Sequence, residues 1–195
     1  MAVLRGFLSG PVLQRVLSEV EAADWELYCS KLKTELLMVE NRASGLLHFV
    51  MHDRALFDLV EELTGSEPIG RFSGRTYRMI PKAGHTDHWH TDLFPGRVAA
   101  ISVNLSEEPF GGGSLEIRDA VTKERISLAP PLECGDAVLL GLRHGLQHRV
   151  RAVRGNSPKT AFAGFFYTDR QSPLAFPRTA LTGRALRCAP RGGDD

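Results

Sequence analysis

Gly84-His85-Thr86-Asp87-His88-Trp89-His90-Thr91-Asp92 packs three imidazoles and two carboxylates into nine residues. A second, shorter cluster follows at His144-Gly145-Leu146-Gln147-His148. Imidazole and carboxylate are both good donors to a divalent metal such as iron or zinc, and two histidines with one carboxylate leave the opposite side of the ion open. On an extended strand, residues i and i+2 point to the same side. His90 and Asp92 therefore reach one ion, and the third donor has to come from another strand.

The tripeptide His-Thr-Asp occurs twice, so the pair must be chosen. His85-Thr86-Asp87 follows Gly84 and reads as a turn, whereas a strand-like segment starts near His88. That favours His90 and Asp92 as ligands, and it implies that Asp87→Ala leaves the metal in place. In the second cluster, Gln147 to Val153 alternates. His148, Val150 and Ala152 face inward and Arg149 and Arg151 outward, so His148 is the inward imidazole and His144 belongs to a turn. His88 and His144 read as structural, although His88 could also line a pocket.

Outward from these clusters, the chain divides by pattern. Gly10-Pro11 after Ser9 looks like a helix start, with Val12, Val16, Leu17 and Val20 at helical spacing. Asp53 is a fitting N-cap for a second helix, with Leu56, Leu59, Val60 and Leu63 as its stripe and Gly65 as its stop. After about residue 70 the segments are short, β-branched or aromatic, and punctuated by Gly, Pro and Asp. Strands are expected at 75–80, 98–105, 113–118, 124–128, 137–140, 148–153 and 160–167. Helices precede the strands instead of alternating with them, which disfavours a parallel α/β sheet. One domain is expected, mainly β with N-terminal helices: helical support over 1–70, a β core over 71–170 and an extension over 171–195 that wraps the core and then frays.

Composition excludes more than it assigns. With 195 residues, a net charge of +1, 43% hydrophobic and 24% charged residues, the chain reads as an ordinary globular protein. Bulk charge gives no reason to expect a nucleic-acid partner, and no apolar run is long enough for a membrane span. Met1 to Leu8 lacks a signal-peptide core. Cys29, Cys134 and Cys188 are three in number and widely spaced, which suits a reducing cytoplasmic compartment better than a disulfide framework.

Several further residues fall in a suggestive order. Tyr77 and Gly84 precede Trp89-His90-Thr91-Asp92. Arg97 to Leu105 reads as a strand with Asn104 near its end. Phe110-Gly111-Gly112-Gly113-Ser114-Leu115, then Pro131, then Gly135-Asp136-Ala137-Val138-Leu139-Leu140 follow, and His148-Arg149-Val150, Val153, Gly155 and Lys159 complete the series. This series, about half of the chain, resembles the 2-oxoglutarate/Fe(II)-dependent dioxygenase superfamily in its prolyl-4-hydroxylase-like branch. The resemblance implies a double-stranded β-helix, also called a jelly roll (cupin-like), with the metal inside one mouth. It implies Fe(II), 2-oxoglutarate as co-substrate and O2. His90, Asp92 and His148 would hold the metal. The far carboxylate of 2-oxoglutarate needs a buried cation, for which Lys159 is the match and Arg154 the fallback. Tyr77 or Asn104 would add a hydrogen bond to the co-substrate.

The activity so implied is hydroxylation of an aliphatic C–H bond in an amino acid, a peptide or a small natural product, with release of succinate and CO2. Asp92 supports hydroxylation over halogenation, because related halogenases carry a small residue there. Oxidative demethylation by the same chemistry and a non-catalytic metal-binding jelly roll, a sensor or structural protein, are the alternatives. Substrate contacts are expected from the loop over 84–89 and from the N-terminal helices.

Overall fold

The computed structural model describes residues 1–168, so the expected extension over 171–195 lies outside the described residues. The chain runs β1 (Ala2–Leu4), α1 (Gly10–Glu21), β2 (Trp25–Cys29), β3 (Lys33–Met38), α2 (Arg42–Met51), α3 (Arg54–Thr64), β4 (Arg71–Met79), β5 (Thr86–Asp87) and β6 (Arg97–Asn104). It continues with β7 (Gly111–Gly112), β8 (Leu115–Asp119), β9 (Arg125–Leu128), β10 (Ala137–Gly141), β11 (Leu146–Val150), β12 (Val153–Arg154) and β13 (Lys159–Tyr167). The main sheet is antiparallel, in the order β1-β10-β6-β13-β4-β3-β2, with β5 added to β3. A smaller antiparallel sheet, β11-β8-β9, and the pair β12-β7 complete the jelly roll, whose sheets do not close into a barrel.

Alternation along the central strands explains how one sheet serves both a core and a cavity. Phe72, Ile101, Val103, Leu139, Phe162 and Phe166 point to the helical side. There they pack against Val16 of α1, Leu47 and Met51 of α2, and Phe57 and Val60 of α3. Each such apolar side chain contributes about 1.5–3 kcal/mol by leaving water. Residues of the opposite parity face the cavity: Ser73, Arg75 and Tyr77 on β4, Ala161 and Ala163 on β13, Ser102 on β6. Small residues on that face of β13 keep the space open. β13 is covered on both sides, so from Ala161 onward it reads as a continuous apolar run. Gly164 pairs with Gly74 on β4, and a Cβ on Gly164 would fall 2.3 Å from the Ser73 carbonyl oxygen. The two glycines leave room for the Phe72 ring.

The helix signals around Asp53 and Gly65 hold. Asp53 accepts from the Ala55 N–H, and Gly65 ends α3 in the left-handed region at φ 65°. α2 was not expected. Its signal is Asn41, which accepts from the N–H groups of Ala43 and Ser44 while Ser44 returns a bond to the Asn41 N–H, a capping box. The N-terminal third is also more than helical support, since β2 and β3 extend the main sheet and β3 walls the cavity. The expected strand over 148–153 is two pieces, β11 and β12.

Candidate metal centre

His90 and His148 face each other across a short antiparallel bridge, each N–H donating to the other's carbonyl, at 3.0 and 2.9 Å. This pairing adds the His90 segment to the edge of the smaller sheet beside β11. It brings the two imidazole rings to 4.5 Å between centroids. Asp92 lies two residues beyond His90. One of its oxygens accepts from His148 Nε2 at 2.9 Å, and the other lies 3.6 Å from His90 Nε2. One donor atom from each of the three residues lies within 4.8 Å of the others. The parity argument thus picks the residues that the structure brings together, although only a single bridge, not a continuous strand, forms at 88–92. His88 is exposed and His144 sits in an exposed turn.

The donor set fits a divalent cation. His90 is buried, and its Nδ1 lies 2.6 Å from the His88 carbonyl oxygen, which marks Nδ1 as the donating nitrogen and leaves Nε2 to face inward. That Nε2 is fully buried and has no hydrogen-bond partner. A buried polar atom without a partner is costly, and a metal resolves it. Burial alone would raise the Asp92 pKa, but the hydrogen bonds and charge of His148 and His90 outweigh it and hold the carboxyl well below the usual range. For His90, burial works against the charged ring, while Asp92, the His88 carbonyl and Asp87 more than compensate and raise its pKa.

The centre opens on a cavity of about 860 Å³ between the two sheets. Lys159, the first residue of β13, is buried deep in it and donates to the Gly113 carbonyl at 2.7 Å. Burial pushes its ammonium down to about 8, partly countered by Asp87 and Glu35. Gly113, at φ 62°, is needed for this approach, because a Cβ there would lie 3.1 Å from Lys159 Cδ and 2.6 Å from the Phe110 ring. The Tyr77 ring centroid is 5.9 Å from Lys159 Nζ, and burial, then the charges of Glu35 and Asp87, raise the phenol's pKa so that it stays neutral. Asn104 also borders the cavity, but its amide is engaged at both ends. Nδ2 donates to Leu132 O at 3.0 Å and Oδ1 accepts from Ser106 N at 3.2 Å. It holds loops together. Arg154 is exposed, pairs through its backbone with Gly111 and does not line the cavity.

Sequence reasoning missed three residues of this site. Glu35 on β3 is buried against the cavity, 3.1 Å from Arg75, and its pKa is raised by burial despite nearby Lys33 and Arg75. A lone Glu in Lys33-Thr34-Glu35-Leu36-Leu37-Met38 was the available signal. Arg97 stacks on Phe165 at 3.9 Å, donates to the Tyr167 hydroxyl at 2.9 Å and lies 4.0 Å from Asp92. Asp87, assigned to a turn, is a buried strand residue of β5.

A jelly roll that gathers two imidazoles and a carboxylate at the edge of an open cavity has the architecture of the non-haem iron oxygenases. Residues 75–167 match the family model described as the 2OG-Fe(II) oxygenase superfamily, and the chain is a member of that superfamily. The family uses Fe(II), 2-oxoglutarate and O2. No curated protein matches the sequence. Among solved structures, a Pseudomonas putida prolyl-4-hydroxylase is similar at TM-score 0.63 and 16% identity, covering 86% of this chain and 92% of that one. A prolyl hydroxylase from Trichoplax adhaerens, in complex with a hypoxia inducible factor oxygen degradation domain peptide fragment, has TM-score 0.61 and 13% identity over 94% and 87% of the two chains. The non-heme alpha ketoglutarate dependent epimerase SnoN from nogalamycin biosynthesis has TM-score 0.62 and 15% identity over 88% and 82%. At these identities the likeness is one of fold. No described helix is long and apolar enough to cross a membrane.

Proposed function

We propose that this chain is an Fe(II)- and 2-oxoglutarate-dependent hydroxylase that attacks an aliphatic C–H of an amino acid, a peptide or a small natural product and releases succinate and CO2. His90, Asp92 and His148 would hold the iron, and Lys159 the far carboxylate of 2-oxoglutarate. The observation that carries this reading is the buried, partnerless Nε2 of His90, set beside Asp92 and His148 at the edge of the cavity. Iron with 2-oxoglutarate and dioxygen supplies the oxidising chemistry when bound; the protein supplies position and surroundings.

Each protein group has a task within that reading. Asp92 keeps its charge at any physiological pH, so it offers an anionic donor. The His88 carbonyl fixes the His90 tautomer that presents Nε2. Lys159 has no buried salt-bridge partner within 4 Å among the described residues, so an incoming carboxylate gains its ammonium without breaking an ion pair. Tyr77, kept neutral, sits beside that ammonium and offers a hydroxyl to the same ligand. The apolar wall of Ala161, Ala163, Val138 and Leu140 excludes water around the co-substrate. Arg97, Arg75 and Glu35 line the cavity with charge, which suits a polar substrate such as an amino acid or a peptide.

The test is succinate release by the Fe(II)-loaded protein with 2-oxoglutarate and a panel of amino acids and short peptides. The reading expects one class to raise succinate well above the uncoupled rate, with an oxygen atom added to it. Formaldehyde release from a methylated substrate would move the assignment to demethylation. A metal- and 2-oxoglutarate-binding protein that no substrate class stimulates would be the non-catalytic jelly roll.

A further inference from the structure

We propose that Asp87, the carboxylate of the first His-Thr-Asp, is a positioning residue that locks the His90 ring and the His148 strand for metal binding without touching the metal. The inference rests on the metal centre proposed above. Asp87 belongs to β5, which pairs with Lys33 and Thr34 of β3 in the main sheet. Its side chain crosses to the smaller sheet, where Oδ2 accepts from the Val150 N–H of β11 at 2.8 Å. That bond lies two residues from His148. Its other oxygen, Oδ1, lies 3.3 Å from His90 Nδ1. One carboxylate therefore spans both sheets and meets both histidine-bearing segments.

Asp87 is on the wrong side of the ring to be a ligand. It faces Nδ1, while Asp92 and His148 gather at Nε2. The imidazole stands between Asp87 and the donor cluster, so the two tripeptides divide the work.

A second observation points to a ligand-dependent role. Asp87 Oδ1 is fully buried and has no hydrogen-bond partner. A buried anionic oxygen without a partner is retained only if something offsets it. The charged groups around it are His90 at 3.3 Å and, further off, Lys159 and Glu35, which feel its field. Of these, only the His90 ring is in contact. When a dication draws on Nε2, the Nδ1 side of the ring becomes more positive, and the waiting carboxylate is compensated. The His88 carbonyl accepts the ring N–H, so Asp87 acts through its charge at 3.3 Å, which raises the basicity of the ring; loss of a partner behind a ligating histidine weakens metal binding about 10–100-fold.

The experiment is Co(II) titration of the full-length protein, in parent, Asp87→Asn and Asp87→Ala forms, read by visible absorption, with melting of the metal-free proteins alongside. Asparagine keeps an oxygen for the Val150 N–H and removes the charge behind His90. The expected result is Co(II) binding weakened at least tenfold in D87N, a shifted Co(II) absorption spectrum, and metal-free melting close to the parent. D87A, which the sequence alone expects to leave the metal in place, is here expected to lose as much affinity and some stability, because Asp87 contacts His90 and the Val150 N–H. Parent-like Co(II) affinity in D87N would overturn the inference while leaving the metal centre standing. Failure of D87N to fold would also overturn it, because the carboxylate's role would then lie in the fold. A parent that binds no Co(II) would overturn the metal centre itself, and this inference with it.

Discussion

Lys159→Met should separate stability from co-substrate binding. Burial brings the Lys159 ammonium from 10.5 down to about 8, against the partial help of Asp87 and Glu35. Keeping it charged at neutral pH therefore costs the fold about 3 kcal/mol. The sign follows from the direction. The folded-state pKa is lower than the unfolded one, so the penalty is complete below about pH 8 and fades as pH rises from there towards 10.5. Methionine removes the penalty and keeps most of the volume. It also leaves the Gly113 carbonyl without its 2.7 Å donor, a loss of about 1–3 kcal/mol. The variant should thus melt at or slightly above the parent at pH 7, and the advantage should vanish near pH 10. The far carboxylate of 2-oxoglutarate would meanwhile lose its buried counter-charge, worth about 3–5 kcal/mol or at least a hundredfold in affinity. The assay is thermal melting with increasing 2-oxoglutarate in the presence of Mn(II). A variant that melts well below the parent at pH 7, or gains as much from 2-oxoglutarate as the parent does, would refute the reasoning.

If Lys159 holds the far carboxylate of 2-oxoglutarate as proposed, affinity for the co-substrate is pH-dependent in the parent. Calorimetry should show it weakening about tenfold between pH 7 and pH 9 as the ammonium with its pKa near 8 deprotonates, and a flat profile would contradict this. Gly113→Ala forces a side chain into a φ of 62°, against Phe110 and Lys159, so it should cost about 1–3 kcal/mol of stability in a denaturant titration and weaken 2-oxoglutarate binding as well. Asp136 takes hydrogen bonds from the N–H groups of Gly6 and Glu133, and from Arg5. Burial raises its pKa, but these donors outweigh that and lower it. Asp136→Ala should therefore destabilise the protein by about 2 kcal/mol at pH 7, with the difference from the parent shrinking as acid protonates Asp136 in the parent.

The reach of the sequence can be traced residue by residue. His90, Asp92 and His148 were readable because imidazole clusters are rare and strand parity restricts which members share a side. The β-rich half was readable because turn residues punctuate its strands. Asp53 and Gly65 bounded α3 because capping is a local interaction. What failed depended on distant partners. Asp87 looked like a turn residue because β5 forms only by pairing with β3, some fifty positions earlier in the chain. The β2–β3 hairpin is itself local, but the sheet it joins is not, since β3 docks on β4 about forty positions later. Asn104 is a polar residue at the cavity wall whose amide serves Leu132 and Ser106, and no local pattern distinguishes that from a ligand contact. Lys159 stands between these cases. Its place at the start of a strand was visible, but its burial was not, because that depends on Gly113 making room.

The three-residue metal centre is tested most directly by anaerobic Fe(II) titration of the parent alongside Asp92→Ala and His148→Ala. The proposed centre predicts one tightly bound iron per chain in the parent, with binding lost or weakened by orders of magnitude in each variant and melting of the metal-free proteins close to the parent. Fe(II) bound equally well by the parent and Asp92→Ala would contradict it.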